Sequence, residues 1–249
     1  MSTPSVDTAL NHRAPPRTDQ TRSLPIATPW VAQRITRVVL RRCYRVEVHG
    51  AEQVPRSGPV LLSVNHIGYL DGPLLGAVAP RASHALVKKE MFVGRTGRLL
   101  TAVGQIPVER LEVDPAAVRR CVRALRQQRS VVVFPEARRG GGEVANARRG
   151  VAYLALVSGA PVVPVAVLGT RLPGASIHSR PPRGSRLVAS FGAPVPVDPV
   201  PWPRRRDEVG ALTERLRLTL ADHVAATSLR CGLALPGRAP DEVDDLVSR

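Results

Sequence analysis

The sequence is poor in aromatic side chains, which make up 3% of its 249 residues. Base-stacking platforms for single-stranded nucleic acid are built from such rings, so their scarcity weighs against that class of function. Lysine is nearly missing too: Lys88 and Lys89 are the only two, and the basic character rests on arginine. Cysteine is limited to Cys43, Cys121 and Cys231, far apart and without a C-x-x-C pair. Neither a zinc site nor a disulfide framework is expected, and a reducing cytoplasm suits the chain. The first residues contain no continuous apolar run, so a secretory signal peptide is not expected. The longest uncharged apolar stretch, residues 151–168, is interrupted by Ser158, Gly159, Pro161 and Pro164. It reads as a buried helix, a turn and a strand, not as a membrane span. No internal repeat is visible.

What is present is a strong positive charge, formally +16, and enough hydrophobic residues (43%) for one sizeable core. Such a charge implies a polyanionic partner: nucleic acid, an anionic membrane surface or a phosphorylated substrate.

Four regions are expected along the chain. Residues 1–29 are polar, Pro-rich and aperiodic, which predicts disorder. Residues 30–45 predict an amphipathic helix. Its basic side carries Arg34, Arg37, Arg41 and Arg45; its apolar side carries Val31, Ile35, Val38, Val39 and Cys43. Two readings of that helix stay open: a helix lying on anionic lipid, or one packed on the domain with its arginines in solvent. Residues 46–228 read as one α/β domain, and 229–249 as a flexible tail. Within the domain, PVLLSVNH (59–66), SVVVFPE (130–136) and PVVPVAVL (161–168) are near-continuous apolar runs of strand length, as in strands buried on both faces. An alternating strand is expected at 44–50 and further strands at 85–92 and 186–192. Helices are expected from Asp71, over 94–103, from Asp114-Pro115 to about Gln128, over 147–158 and over 207–226. Strands alternate with helices, so the fold class is α/β: a single domain with a largely parallel mixed sheet flanked by helices.

Chemistry-bearing residues gather at the ends of the apolar runs. His66 and Asp71 are five residues apart, which on a continuous helix would set them about 140° apart. Across a strand-to-helix turn they can converge, and an Asp that binds an imidazole fixes its tautomer. The distal nitrogen is then free to take a proton from a hydroxyl. The C-terminal ends of parallel strands are also where α/β active sites lie. Taken alone, the pair reads more readily as a capping Asp and a His bonded to backbone. Two further segments carry polar groups, Gly104–Arg110 and Phe134-Pro135-Glu136-Ala137-Arg138-Arg139, and a third, the Pro161–Val165 strand, is apolar with two prolines. Arginine's planar fork suits phosphate oxygens. No Ser or Cys stands in a G-x-S-x-G-type motif.

Together and in this order, the four segments resemble the blocks of the glycerolipid acyltransferase superfamily, typified by lysophosphatidate acyltransferases. Asn65-His66…Asp71 matches N-H-x-x-x-x-D in full, and Gly104…Arg110 matches G-x-x-x-x-x-R. Phe134-Pro135-Glu136 with Arg139 matches part of F-P-E-G-T-R-S, and Pro161–Val165 matches the apolar V-P-V/I strand. Arg149-Gly150 resembles the basic-Gly pair before the last block. The likeness covers roughly residues 40–200. The chain departs from it at Gly68, where a serine is usual, at Ala137-Arg138 in place of Gly-Thr, and at Gly140 in place of Ser.

The resemblance implies transfer of a fatty acyl group, from acyl-CoA or acyl-carrier protein, to a hydroxyl of lysophosphatidate or a related glycerolipid precursor in phospholipid biosynthesis. His66 would be the base and Asp71 its orienting partner. Asn65, Arg110, Glu136, Arg138, Arg139 and Pro164 would bind substrate, with the arginines holding the acceptor phosphate and Pro164 walling the pocket. Neither a metal nor a cofactor is called for, and no nucleic-acid partner. The expected location is peripheral, on the cytoplasmic face of the cell membrane. The altered third block leaves a lyso-aminolipid or glycolipid acceptor open. A basic nucleic-acid-binding protein would explain the charge but not the ordered segments, and an inactive lipid-binding relative would not need an intact His66 and Asp71.

Overall fold

The computed structural model describes Thr18, Leu24, residues 27–109 and residues 114–240, with side chains from residue 31 onward in the first helix. The apolar runs form the centre of a seven-stranded sheet: β1 Arg45–His49, β2 Val60–Val64, β3 Ser83–Lys88, β4 Ile106–Val108, β5 Ser130–Val133, β6 Val162–Leu168 and β7 Arg186–Phe191. Their spatial order is β1-β7-β6-β2-β5-β3-β4. The pairings from β6 through β2, β5 and β3 to β4 are parallel, whereas β7 runs antiparallel to β6 and β1 follows β7. Every residue of β2, β5 and β6 is buried, which is why these strands show no alternation in sequence.

Among the described residues, six α-helices flank the sheet: α1 Ala27–Cys43, α2 Asp71–Val78, α3 Gly94–Ala102, α4 Pro115–Arg126, α5 Gly150–Ser158 and α6 Arg206–Cys231. Local chemistry sets several ends. Asp114 caps α4 by accepting from the Ala116 and Ala117 N–H groups, both at 2.9 Å, ahead of Pro115. Gly159 ends α5 and Gly232 ends α6 in left-handed conformations that glycine adopts without strain. One sheet face packs against α4, α5 and the start of α6, burying residues such as Cys121, Leu125 and Leu154. The other packs against α1 and α2 through Leu40, Leu74 and Leu75.

Two expected boundaries move. Helix α1 begins at Ala27 and ends at Cys43, so Arg45 belongs to β1 and not to the helix's basic side. Of the segment expected to be disordered, Leu24 packs against the core and its carbonyl accepts from Arg129 Nη1 at 2.8 Å; apart from Thr18 and the first turn of α1, the remainder of 1–29 lies outside the described residues. The segment expected to be loose from residue 229 instead completes α6 and then folds back. Leu233 and Leu235 pack beside Leu220 and Val224, and Gly237 N–H donates to Gly141 O at 3.1 Å. Residues 241–249 lie outside the described residues.

Helix α1 turns the side with Gln33, Arg37 and Leu40 to the domain. Gln33 Nε2 donates to Ala79 O at 2.7 Å and Arg37 Nε to Ala77 O at 2.8 Å, the last carbonyls of α2. Its apolar side faces out: Val31, Ile35, Val38 and Val39 are each more than half exposed.

Two histidines are locked into the fold. His84, 3% exposed, bonds Gly104 O through Nδ1 at 2.8 Å, and His223 bonds Ser190 O through Nε2 at 2.9 Å. Burial, helped by Arg129 beside one and Arg230 beside the other, holds both imidazoles below their usual 6.5. Above that value neither the folded nor the unfolded chain protonates them and the fold keeps its full stability. Below it, the unfolded chain takes up protons that the folded chain refuses, so stability falls as pH drops from 6.5 towards the folded-state values. The urea midpoint should therefore decline between about pH 7.5 and about pH 5.5; an unchanged midpoint would contradict this account.

Candidate active site

The parallel strands β2, β5 and β6 end at one edge of the sheet, and their following residues meet there. After β2 comes Asn65-His66, and the chain turns into α2 at Asp71. The turn brings the two together: His66 Nδ1 donates to Asp71 Oδ2 at 2.7 Å. The same oxygen accepts the Ile67 and Gly68 N–H groups at 2.7 and 2.8 Å. The Thr170 hydroxyl, two residues past β6, donates to the other oxygen, Oδ1. The Asp71 carboxylate is fully buried, while the His66 side chain is 25% exposed. Burial of a carboxylate is costly unless its lone pairs are met; here four donors meet them. With Nδ1–H committed to Asp71, the imidazole Nε2 carries the free lone pair.

The loop after β5 closes on the same histidine. Glu136 Oε1 accepts the His66 N–H at 2.9 Å, and the Gly140 N–H donates to His66 O at 2.8 Å. The Phe134 ring lies against the imidazole, centroids 4.5 Å apart. Ala137 has φ +59°, a left-handed conformation that glycine adopts without strain and alanine does not. Arg139 stands over the Tyr69 ring at 4.9 Å and donates through Nη1 to Ile177 O; Arg180 lies over the same ring at 5.7 Å.

Gly68 owes its identity to Thr170. A Cβ built on Gly68 would stand 2.6 Å from Thr170 O and 2.9 Å from its Oγ1. The loop after β6 thus crosses directly over the His66–Asp71 turn. Gly68→Ser, which restores the usual family residue, should push that loop away from Asp71. Overpacking of this kind costs about 1–3 kcal/mol. Both melting temperature and turnover should fall, in thermal denaturation and initial-rate assays.

The expected substrate-binding residues divide. Arg139 faces the cavity beside His66. Glu136 does not line it; its carboxylate holds the His66 backbone. Asn65 is fully buried and spends its amide on one partner residue, donating through Nδ2 to Val167 O at 3.0 Å and accepting from Val167 N at 2.7 Å. Its side chain extends the β2–β6 ladder and is not available to substrate. Pro164 sits mid-strand opposite Ser63, four residues before the end of β6, and is not among the residues that line the cavity. Arg138 is exposed and is not among the residues that line the cavity. Arg110 lies outside the described residues. Thr170 was not expected. The signal for it is the same as for His66, a polar residue just past a buried parallel strand.

The cavity is an open cleft of about 1860 Å³. His66, Phe134, Pro135 and Arg139 form one part of its wall, and Ile35, Met91, Leu99 and Val103 an apolar trough between α1 and α3. Arg148, Arg149, Tyr153, Trp202 and Arg204 form a third part. Among the described residues no cluster of His, Cys, Asp or Glu has the make-up of a metal site. Cys121 is no nucleophile: burial, with Asp114 nearby, pushes its thiol up to about 12.

The family model described as Acyltransferase matches residues 45–168. A 1-acyl-sn-glycerol-3-phosphate acyltransferase of Bacillus subtilis is 28% identical over 135 residues, 53% of this chain and 67% of that one. The alpha enzyme of the same name from Ovis aries is 31% identical over 180 residues, 70% of this chain and 60% of its own. A lyso-ornithine lipid O-acyltransferase of Pseudomonas aeruginosa is 33% identical over 141 residues, covering 54% of each. The chain thus spans about half to two thirds of these relatives' lengths. The crystal structure of the 1-acyl-sn-glycerophosphate acyltransferase PlsC from Thermotoga maritima superposes with a TM-score of 0.59 over 80% of both chains at 17% identity, which is agreement of fold.

Proposed function

The chain belongs to the glycerolipid acyltransferase superfamily, and on that footing we propose that it moves a fatty acyl group from a thioester to a hydroxyl of a lysophosphatidate-like lipid. One observation carries the reading: the buried Asp71 carboxylate takes the Nδ1–H of His66, which leaves Nε2 as a base in an open cleft. The acceptor hydroxyl gives its proton to Nε2 as its oxygen bonds to the thioester carbonyl carbon. The tetrahedral intermediate collapses, the C–S bond breaks, and the imidazolium returns the proton to the departing sulfur. Asp71 stabilises the imidazolium between those steps. The donor is acyl-CoA or acyl-carrier protein.

Arg139, held against Tyr69, is the acceptor's cation, and the trough between α1 and α3 takes an acyl chain. The lyso-ornithine relative and the altered Ala137-Arg138 block favour an aminolipid as the second acceptor to try. A panel of lysophosphatidate, lyso-ornithine lipid and a lysoglycolipid, offered with one acyl-CoA and read by mass spectrometry of the lipid products, tests the assignment. Acylation of none of them would refute it.

The same lipids would be collected from a membrane surface, on its cytoplasmic side. No helix among the described residues is long and apolar enough to cross a bilayer. Instead, α1 presents Val31, Ile35, Val38 and Val39 outward, with Arg34, Arg41 and Arg42 also exposed, and Ile35 lies at the edge of the cleft. Replacing the four apolar residues with serine should weaken co-sedimentation with anionic vesicles at least about tenfold. The melting temperature should hold, since these side chains touch little of the domain. Undiminished vesicle binding would remove α1 from this role.

A further inference from the structure

The cleft has a second cationic region that the proposed chemistry does not use. Trp202 and Arg204 follow the proline-rich stretch after β7, just ahead of α6, and Arg204 meets Tyr153 on α5. The Arg204 guanidinium carbon lies 5.8 Å from the Tyr153 ring centre and 6.0 Å from that of Trp202. Arg204 Nε and Nη1 and Trp202 Nε1 are shut off from solvent, yet among the described residues they meet no hydrogen-bond acceptor. Buried donors of this kind are costly, and those of an arginine especially so. Every one of these residues lines the same cleft as His66, and Arg206 lines it beside them.

The position separates this cluster from Arg139. Tyr153 packs on the sheet face covered by α4 and α5, whereas Leu70 and Phe134, the neighbours of Tyr69 and His66, pack on the face covered by α1 and α2. A cleft with two cationic regions, one on each side of its base, fits two substrates that each carry phosphate. We propose that the Trp202–Arg204–Tyr153 cluster binds the phosphorylated adenine nucleotide of a coenzyme A thioester. The inference rests on the acyl-transfer reading above. The Arg204 guanidinium supplies charged donors for phosphate oxygens, and the Trp202 ring offers a face for adenine and an N–H for a further oxygen. The Trp202 and Tyr153 rings in the cleft favour this occupant over a carrier protein, whose acidic surface would call for exposed cations and no aromatic face for a base.

The test uses the full chain, whose two tryptophans are Trp30 and Trp202. Free coenzyme A should alter tryptophan emission, pantetheine should not, and Trp202→Phe should abolish the response. In assays, Arg204→Gln should raise KM for acyl-CoA about ten- to a hundredfold, with kcat and the acceptor KM unchanged. It should leave transfer from acyl-pantetheine untouched, and Arg204→Lys should fall between. If Arg204→Gln does not fold by circular dichroism, the acyl-CoA KM of Trp202→Phe decides. An unchanged KM for acyl-CoA, or equal losses with acyl-CoA and acyl-pantetheine, overturns the assignment. So does an acyl-carrier-protein thioester that is used as well as acyl-CoA and is equally sensitive to Arg204→Gln, because the shared group would then be the phosphopantetheine phosphate. Coenzyme A binding at Trp202 without acyl transfer to any lipid would sink the acyl-transfer reading and leave the nucleotide site standing. Transfer from acyl-pantetheine without coenzyme A binding would do the reverse.

Discussion

Purified His66→Ala should lose about 10²–10⁴-fold in kcat for transfer of a labelled acyl chain, the usual worth of a general base. The loss should fall on kcat more than on either KM, because the proposed mechanism gives the imidazole proton transfer and not the holding of substrate. Its side chain is 25% exposed and rests on Phe134, so truncation opens the cleft without uncovering the core, and the melting temperature should move little. The backbone bonds from Glu136 and Gly140 to residue 66 do not depend on the side chain. Wild-type turnover in the variant would remove His66 from the mechanism.

Asp71→Asn should be nearly as damaging to turnover, about 10²–10⁴-fold, and unlike the His66 change it should also cost stability. Asp71 Oδ2 accepts three N–H donors, from His66, Ile67 and Gly68. An amide oxygen placed there still accepts them, but without the charge that stabilises an imidazolium. The amide nitrogen then faces the Thr170 hydroxyl, which must turn round to accept. In the opposite orientation the amide hydrogens meet three donors, which strands buried polar groups at roughly 1–3 kcal/mol each. Thermal melting and initial rates measured on one preparation check both halves. A variant with normal turnover would show that the imidazole needs no orienting partner.

Much of the architecture could be read in the sequence because it is written in local pattern. The runs at 59–66, 130–136 and 161–168 are strands buried on both faces. Asp114-Pro115 opens α4 and Gly159 closes α5. What could not be read depends on contacts between distant positions. Nothing local fixes β7 antiparallel to β6, or pairs Arg45 with Arg186 at the far edge. Asn65 looks like part of a reactive motif, and only the neighbouring strand reveals that its amide is consumed by Val167, 102 residues later. The apolar side of α1 was visible as a stripe, but a stripe does not say which way it faces. Here Gln33 and Arg37 make the packed contacts, through carbonyls at the end of α2. Arg204 follows a proline-rich segment without period, and its proximity to Tyr153 depends on how α5 and α6 pack.

The bonds around His66 and Asp71 come from residues 65 to 170: a loop after β5, a loop after β6 and the turn into α2. β5 joins β2 on one side and β6 joins it on the other. The proposed base therefore depends on non-local parallel pairings, a kind that is slow to close. A growing or partly unfolded chain that lacks β6 has neither the Thr170 hydroxyl nor the Val167 backbone to hold the turn. On the proposed mechanism, the base is thereby available only once the sheet is complete.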